Sequence, residues 1–307
     1  MSTLPFDTRL LLAPMAGVND PVFRALCRRM GAGLTYTEMI SSLALAYGNR
    51  KTQDMLRALP EDRPYAVQLF GSEPAVMAAQ ARALEAELGA GLALIDINMG
   101  CPARKVVSSG NGAALLKRSE LACEIVAAVH AAVRVPVTVK MRLVSHADAD
   151  TLAFASGLAE SGAAALTIHG RTAEQYYRGA AHRSSVDTLV AGLSIPVIAS
   201  GDVFSREDAR EYRERGASAV MVARGARGNP WIFSGEEPDL AERVAVAREH
   251  VERLHAWEPR KLVWMRKHLA WYFKGSPVAL RVRKAVQTAV SLEDYLALLE
   301  SCAVGGE

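Results

Sequence analysis

The stretch Ile95-Asp-Ile-Asn-Met-Gly-Cys-Pro102 is an apolar run that breaks into a turn and presents a cysteine. Residues 92–97 are typical of a buried strand, and Gly100 with Pro102 forces the backbone out of it. Cys101 is therefore expected just past the carboxyl end of a strand. A free cysteine is more often a buried structural thiol than a reactive group. The segment that follows, 103–112, contains several Gly and Ser residues and predicts a mobile flap beside the thiol.

Eight short runs typical of β-strands alternate with alanine-rich amphipathic segments at 73–88, 120–133, 149–161 and 206–215, which suit crossover helices. Gly89, Gly162 and Gly216 follow such segments directly, as expected at helix C-termini. This alternation over the first 235 residues predicts an α/β fold, a (β/α)8 TIM barrel, with a doubly wound open sheet as the alternative. The strand candidates are 10–13, 34–37, 66–69, 94–98, 137–141, 165–169, 197–199 and 219–222.

The pattern changes after residues 229–231, where strand signals stop. The segments 240–257, 261–274, 278–291 and 292–302 predict helices, so we expect a TIM-barrel catalytic domain at 1–235 and a small C-terminal helical domain at 236–307. Residues 259–292 contain eight Lys or Arg residues and no acid, although the net charge of the chain is only +3. This asymmetry predicts an anionic partner for the C-terminal part.

The composition is that of an ordinary soluble globular enzyme, with 50% hydrophobic and 22% charged residues. The four cysteines show no C-x-x-C spacing, which indicates neither a disulfide framework nor a zinc site and favours the cytoplasm. No export signal or run of roughly 18 apolar residues is present, so no membrane association is expected. No obligate protein partner is evident.

Polar side chains follow most of the predicted strands. In a TIM barrel the carboxyl ends of the strands carry the chemistry, so these residues are expected to converge on one mouth. The loops after the last two strands combine small residues with Arg224 and suit a phosphate. Lys140 and Gln68 would then face a planar heterocycle and could stabilise negative charge on it, as suits a reduced flavin. The strand ends offer Pro14 to Gly17, Glu38, Gln68, Asn98 with Cys101, Lys140 with Arg142, His169 with Arg171, Ser200 to Asp202, and Arg224.

Two other kinds of site are disfavoured by the same residues. No cluster of His or carboxylates faces the mouth, so no metal site is predicted. A nucleophile triad is also disfavoured, because Cys101 has no evident His-Asp pairing.

Several of these motifs occur together and in order, and as a set they resemble the tRNA-dihydrouridine synthases. The bacterial branch with the Asn-Met-Gly-Cys-Pro-Ala signature is the most similar. The resemblance runs from about residue 9 to residue 233 and continues into the predicted helices through Arg266-Lys-His-x-x-Trp-Tyr272. The motifs are Pro14-Met-Ala-Gly17, Thr37-Glu38-Met39, Gln68-Leu-x-Gly71, Asp96-Ile-Asn-Met-Gly-Cys-Pro102, Lys140-Met-Arg142, Thr167-Ile-His-Gly-Arg-Thr172 and Gly228-Asn-Pro-Trp231.

This resemblance implies FMN in the barrel mouth, tRNA as the substrate and NADPH as the electron donor. The expected reaction reduces the C5–C6 bond of a D-loop uridine, with hydride passing from reduced FMN to C6 and a proton from Cys101 to C5. An unperturbed thiol titrates near ~8.5, so at neutral pH it holds a proton to donate. The uridine must swing out of its stack. The flap would order over the base and carry Cys101 into place.

The same resemblance assigns roles to individual positions. Asn98, Arg142 and Arg171 are expected to contact the substrate at the mouth. Basic residues of the helical domain are expected to bind the tRNA backbone; these are Arg266, Lys267, Lys274, Arg281, Arg283 and Lys284. The expected FMN-binding residues are Pro14, Met15, Ala16, Gln68, Lys140, His169, Ser200, Gly201, Asp202, Ala223 and Arg224.

The sequence departs from the family pattern in three places. Ser200 replaces the usual Asn, and Ala223 replaces the usual Gly, with Gly225 following in place of Ala. FMN binding is expected to survive with altered contacts, because Gly225 could restore the lost backbone freedom. Residues 179–183 lack a common acidic-aromatic pair, which is expected to alter the favoured tRNA position.

Two alternative functions stay open from sequence alone. An FMN-dependent barrel reducing a small molecule predicts a flavin but no affinity for tRNA, and the charge at 259–292 speaks against it. A non-catalytic RNA-binding protein would leave Cys101, Lys140 and His169 without a purpose.

Overall fold

A computed structural model describes residues 9–304 of the chain, apart from the side chain of residue 304. Eight parallel strands surround a central axis. They are β1 (Leu10–Leu12), β2 (Tyr36–Ser41), β3 (Tyr65–Phe70), β4 (Leu92–Met99), β5 (Val137–Leu143), β6 (Ala165–Thr172), β7 (Val197–Ser200) and β8 (Ala219–Val222). Their hydrogen-bonded order is β1-β8-β7-β6-β5-β4-β3-β2.

The sheet closes between β1 and the segment just before β2. The Leu12 amide donates to the Leu34 carbonyl at 2.9 Å, and the Gly33 amide donates to the Leu10 carbonyl at 2.8 Å. Leu34 is an isolated bridge to Leu11, so the strand predicted at 34–37 begins two residues later than expected. The predicted TIM barrel is confirmed, and the open-sheet alternative is wrong.

Helices cover the outside of the barrel and form the C-terminal region. The four crossover helices predicted from sequence begin and end within one residue of their expected positions. The α-helices are α1 (Pro21–Arg29), α2 (Ser42–Ala46), α3 (Arg50–Asp54), α4 (Pro74–Leu88), α5 (Arg104–Val107), α6 (Ser119–Ala132), α7 (Asp148–Glu160), α8 (Ser185–Gly192), α9 (Arg206–Glu214), α10 (Leu240–Trp257), α11 (Met265–Tyr272), α12 (Ala279–Ala285) and α13 (Leu292–Val304).

The C-terminal helices differ in part from their predicted lengths. The segment predicted as one helix at 261–274 divides into a 3-10 helix, Pro259–Trp264, and α11. The helix predicted at 278–291 shortens to α12. No helix within residues 9–304 is long and apolar enough to cross a membrane.

Side chains alternate between the two faces of each strand, and this alternation separates two cores. On β4, Ile95, Ile97 and Met99 pack outward into the core shared with the surrounding helices. Leu94 belongs instead to a smaller cluster inside the barrel. The inward positions that follow along β4 are Asp96 and Asn98. The barrel interior is thus apolar towards the amino ends of the strands and polar towards their carboxyl ends.

The C-terminal helices bury a core of their own that includes part of α1. Val251 and Leu254 of α10, Leu269 of α11 and Leu299 of α13 share one apolar cluster with Leu26 of α1. Because α1 starts directly after the first loop at the mouth, this core joins the helical region to the catalytic end of the barrel.

A fully buried polar cluster lies at the same junction. Asp20 caps α1 by accepting hydrogen bonds from the amides of Val22 and Phe23, at 3.0 and 2.9 Å. The Nε2 atoms of His250 and His268 lie 3.2 and 3.3 Å from the Asp20 carboxylate. The three side chains have ligand atoms within 4.8 Å of one another, a spacing that could also hold an ion and that the sequence did not indicate.

We expect His268 to make stability pH-dependent. Burial is the main reason that its pKa is lowered to about 4, and the nearby Asp20 carboxylate only partly opposes this. The unfolded chain therefore binds more protons below about pH 6.5, so stability is complete above that pH and falls as the pH drops towards 4.

The measurement is the free energy of unfolding in urea at pH 7 and pH 5. The wild type should lose about 2 kcal/mol at pH 5 through this one group. His268→Gln should show a correspondingly flatter profile, whereas His146→Gln, at an exposed histidine, should follow the wild type. An unchanged slope in His268→Gln would contradict the assignment.

Candidate active site

An open cleft lies at the carboxyl ends of the strands. Its volume is about 1090 Å³ when the open, solvent-filled mouth is included. Every residue expected to bind the cofactor lines this cleft, as do Cys101, Asn98 and Arg142. Arg171 and the six basic residues predicted in the C-terminal helices do not line it.

The register of the strands explains why these side chains meet. Asn98 pairs with Lys140, so both inward side chains lie at one level of the barrel. Arg142 pairs with His169, and His169 pairs with Ser200, which forms the next level at the mouth. Residues far apart in the chain therefore become neighbours because each occupies an inward position at the same height.

The turn that carries Cys101 is held from several sides. Asn98 Oδ1 accepts hydrogen bonds from the amides of Gly100 and Cys101, at 3.2 and 3.0 Å. Arg142 Nε donates to the Gly100 carbonyl at 3.0 Å, and the Ala113 amide donates to the Cys101 carbonyl at 3.0 Å. The side chain of Cys101 lines the cleft. The thiol is thus presented by a backbone that is already fixed.

The flap is partly ordered. It contains the short helix α5 and returns to Cys101 through Gly112, whose φ of +59° and close approach to the Cys101 carbonyl exclude a side chain. The turn that carries Cys101 is also held from outside the flap, by Asn98 and Arg142. That the flap orders over the base and carries Cys101 into place stays a prediction.

Lys140 and His169 differ in charge because of their surroundings. Burial, followed by the nearby Arg142 charge, lowers the pKa of Lys140 to about 8, so most of it is still protonated at pH 7. No carboxylate within residues 9–304 lies within 4 Å of its amine. Burial and the surrounding cations lower the pKa of His169 to about 2, so its imidazole is neutral. His169 can therefore hydrogen-bond to a ligand but cannot supply a positive charge.

Asp202 links two arginines at the phosphate-type loops. It accepts from both terminal nitrogens of Arg171, one of them at 2.9 Å, and from Arg224 and the Ala181 amide. Burial raises the pKa of Asp202, but these hydrogen bonds outweigh it and hold the pKa below its usual value. Asp202 therefore stays ionised and fixes the guanidinium of Arg224 at the cleft.

Arg171 has a supporting position. It is only 2% exposed and also donates to the Gly179 carbonyl at 2.6 Å. Its guanidinium is thus enclosed by protein groups behind the cleft and does not line it, and its contact with substrate stays a prediction. What Arg171 does is hold Asp202.

The departures from the family pattern lie in the cleft wall. Ser200 and Ala223 both line the cleft. Gly225 is needed for a different reason from the one expected: a Cβ there would lie 2.2 Å from the Val203 carbonyl oxygen. It thus permits a close approach between the loops after β7 and β8 and does not supply an unusual φ.

The structure adds lining residues that sequence reasoning missed. The Tyr177 ring lies 4.5 Å from the guanidinium of Arg224, and Phe204 also borders the cleft. Arg227 lies over the Trp271 ring at 5.4 Å, and its Nε is buried with no hydrogen-bond partner in the described residues. The sequence did contain signals for two of these residues. Tyr177 is one of two adjacent tyrosines in a polar loop, and Arg227 comes just before Gly228-Asn-Pro-Trp231. The other lining residues to which the sequence analysis gave no role are Ala13, Met39, Gly100, Pro102, Val203 and Met221.

The six basic residues of the C-terminal helices occupy different environments. Lys267 faces the mouth, because its Nζ would lie 3.2 Å from a Cβ placed on Gly17. Arg266 donates to the Ala289 carbonyl at 3.0 Å, and Arg281 donates to the Ser301 carbonyl. The remaining three, Lys274, Arg283 and Lys284, are exposed.

Comparison with known proteins decides the family. A sequence profile described as Dihydrouridine synthase (Dus) matches residues 11–305. The chain belongs to the dihydrouridine synthase family. It is 41% identical to tRNA-dihydrouridine synthase B of Xanthomonas axonopodis pv. citri (strain 306), over 94% of this chain and 91% of that protein. It is 42% identical to tRNA-dihydrouridine synthase B of Pseudomonas aeruginosa, over 92% and 88% of the two chains.

Among solved structures, a FabK variant from Thermotoga maritima overlaps 78% of this chain and 68% of its own, with 15% identity and a TM-score of 0.45. That similarity is too loose to add to the description of the fold.

Membership of the family implies a flavin cofactor, and the cleft fits one. Within residues 9–304, Lys140 forms no ion pair within 4 Å and offers its cation to a ligand. In the same part of the chain the buried Nε of Arg227 has no hydrogen-bond partner, so it offers an unused donor at the wall. Gly201, with a φ of +117°, lets the backbone pass where a Cβ would lie 2.8 Å from His169 Cδ2. Cations at the floor and rim suit a ligand that combines an electron-rich ring with an anionic tail.

We expect Asp202 to matter for stability mainly through Arg171. Asp202→Ala would leave the buried Arg171 charge without its partner and should lower the free energy of unfolding by about 3 kcal/mol. Arg224→Ala is the matched comparison, because the Arg224 side chain is 27% exposed and pairs with the same carboxylate. Arg224→Ala should lower the free energy of unfolding by less than about 1 kcal/mol. Urea unfolding at pH 7 measures both, and equal losses would contradict the positioning role of Arg171.

Proposed function

We propose that this dihydrouridine synthase reduces the C5–C6 bond of a D-loop uridine in tRNA, using FMN with NADPH as the electron donor. The observation that carries the proposal is the thiol of Cys101, fixed on the wall of the same cleft as Lys140 and Arg224 in a chain of this family. Two relatives with about 40% identity are named as tRNA-dihydrouridine synthases, which supports tRNA as the substrate class.

The cofactor would be held along the mouth of the barrel. When bound and reduced, FMN supplies the hydride for C6 of the uracil ring. Lys140 and Gln68 would face the ring, and the cation of Lys140 would stabilise negative charge there. Arg224 and the backbone of Ser200 and Gly201 would bind the phosphate. The carboxylate of Asp202 would not itself face the phosphate, because it is occupied by Arg171 and Arg224.

The contacts of Pro14, Met15, Ala16, His169 and Ala223 with FMN are part of the same proposal. They all line the cleft. The neutral imidazole of His169 suits a hydrogen bond rather than an ion pair.

Cys101 would donate the proton to C5. The uridine has to leave its stack to reach the cleft, and exposed aromatic rings at the mouth can receive an unstacked base. Tyr177 and Phe204 are 53% and 52% exposed there. Arg142 also borders the cleft but already donates to the carbonyls of Thr172 and Tyr176, at 3.0 and 2.9 Å, so it supports the wall as well as facing the substrate.

The helical region would bind the phosphate backbone of the tRNA. The proposed tRNA-binding domain is residues 236–307, and Lys274, Arg283 and Lys284 are exposed cations on it. Lys267 would act closer to the cleft, beside Gly17. Arg266 and Arg281 would contribute charge while their guanidinium groups stay on backbone carbonyls. We propose no obligate protein partner.

Removing the thiol should stop the reaction without removing the cofactor. Cys101→Ala should bind FMN as the wild type does, yet form dihydrouridine in tRNA about 10²–10⁴ times more slowly, the usual range for loss of a general acid. Cys123→Ala, at a half-buried cysteine on α6, should be fully active. The measurements are the absorbance of the purified, FMN-reconstituted protein and the dihydrouridine content of tRNA. A protein that takes up no FMN, or an active Cys101→Ala variant, would overturn the proposal.

Loss of the exposed cations should weaken tRNA binding in a salt-dependent way. Replacing Lys274, Arg283 and Lys284 by Ala should reduce the slope of log K against log salt concentration by about 2 to 3, if each contacts a phosphate. Arg134→Ala is the control, because Arg134 is exposed and lies before β5, at the opposite end of the barrel. A triple variant with the same salt slope as Arg134→Ala would contradict this interface.

A further inference from the structure

A chain of buried polar side chains lies directly beneath the cleft. Asp96 is 0% exposed, faces the barrel interior on β4 and is absent from the cleft lining. Its Oδ2 accepts from Gln68 Nε2 at 2.7 Å, and its Oδ1 accepts from Thr138 Oγ1 at 2.6 Å. The register requires this meeting, since Asp96 pairs with Gln68 on one side and with Thr138 on the other.

The chain continues from Gln68 to Cys101. Gln68 Oε1 accepts from Asn98 Nδ2 at 2.8 Å, and Asn98 Oδ1 in turn accepts from the Cys101 amide at 3.0 Å. An amide group has a donor end and an acceptor end, whereas a carboxylate only accepts. Asp96 therefore orients the side-chain nitrogen of Gln68 towards itself, which leaves the Gln68 oxygen facing Asn98. Asn98 in turn directs its nitrogen to Gln68 and its oxygen to the Cys101 turn. The carboxylate at one end and the amides of Gly100 and Cys101 at the other thus agree on the direction of every link.

We propose that Asp96 is a positioning residue for the reaction: through Gln68 and Asn98 it orients both the turn that carries Cys101 and the Gln68 amide at the cleft. The inference deepens the proposed function and rests on the role of Cys101 as proton donor. Asp96 itself touches neither the substrate nor the cofactor.

A carboxylate is costly at this buried position. Burial raises the pKa of Asp96 to about 6, although hydrogen bonds from Thr138 and Gln68 and the Lys140 charge oppose the rise. An apolar side chain in its place would remove that cost but would leave the Thr138 hydroxyl and the Gln68 amide without their shared acceptor. The Gln68 amide would then be free to turn over.

Two substitutions at position 96 separate orientation from charge. Asp96→Ala removes the acceptor below Gln68. Asp96→Asn keeps it, because the Asn oxygen can accept from Gln68 while its nitrogen donates to the Thr138 hydroxyl, which also accepts. We expect Asp96→Ala to lower kcat about 10–100-fold through misplacement of Cys101, with KM for tRNA within about threefold of the wild type. Asp96→Asn should retain kcat within about fivefold.

A double-mutant cycle tests whether Asp96 acts through Asn98. If it does, Asp96→Ala should lower kcat by a smaller factor in the Asn98→Ala background than in the wild type, because coupled residues are non-additive. Any loss that remains would come from the Gln68 amide at the cleft. If Asp96→Ala lowered kcat only by disturbing the structure in general, its effect on kcat would add to that of Asn98→Ala. Thermal unfolding of each variant checks that it is folded.

A second measurement needs neither cofactor nor substrate. In apoprotein carrying Cys123→Ser, the rate at which iodoacetamide alkylates Cys101 reports how firmly the turn is held. If the turn depends on an acceptor oxygen at position 96, Asp96→Ala should change this rate at least threefold. Asp96→Asn keeps such an oxygen and should leave the rate near the wild-type value.

The outcomes distinguish the two proposals. Full activity in Cys101→Ala would defeat the proton donor, whatever Asp96 does. If Cys101→Ala is inactive while Asp96→Ala keeps the wild-type kcat and alkylation rate, the proton donor stands and the role of Asp96 is overturned. An additive double-mutant cycle, or an Asp96→Asn variant as impaired as Asp96→Ala, would likewise overturn it.

Discussion

The hydrogen-bond register of the closed parallel sheet is the constraint on which the site depends. Each strand places alternate side chains inside the barrel, and the register fixes the height of each one. Gln68, Asp96 and Thr138 meet at one level, and Lys140 and Asn98 meet at the next. A shift of one residue on β4 would turn Asp96 and Asn98 outward into the apolar core. The desolvation free energy of these two polar side chains in the apolar core therefore disfavours every register shifted by one residue.

Charge is distributed unevenly around the cleft, and this shapes its chemistry. Lys140, Arg142 and Arg224 line it, whereas the only carboxylate in the described lining is that of Asp202. Because Asp202 is shared between Arg171 and Arg224, the net field at the mouth is positive. The same field, together with burial, keeps His169 neutral. An anionic ligand would therefore find fixed cations and a neutral hydrogen-bonding imidazole rather than a site that must lose protons.

The junction between barrel and helices ties the C-terminal region to the mouth. Asp20 caps α1 and also contacts His250 and His268. Near the same junction, Glu38 accepts a hydrogen bond from the Gly17 amide, and Lys267 lies against Gly17. The loop that begins the cleft is thus in contact with the helices. Nucleic acid bound to those helices would therefore lie at a fixed distance from the cleft. This distance matters because an extruded base extends only a short way from its backbone.

The sequence by itself determined the barrel and the membership of the site. Eight apolar runs with helical segments between them were enough for the fold, since period-two and period-3.6 patterns are local properties. The residues at the ends of those runs identified more than half of the cleft lining, because the ends of parallel strands must share one edge. The strand at β2 was misplaced because Leu34 closes the barrel through a single bridge, which leaves no local pattern.

Only the tertiary structure decided what each polar residue does. Arg171 and Arg224 look alike in sequence, but Arg171 is enclosed behind Asp202 whereas Arg224 borders the cleft. Arg171 lies on β6, and Arg224 lies beyond the end of β8. Asp96 was visible in its motif, yet its link to Cys101 passes through Gln68, a residue from another strand. Hydrogen-bond direction depends on which groups are neighbours across strands, and that information exists only once the sheet has closed.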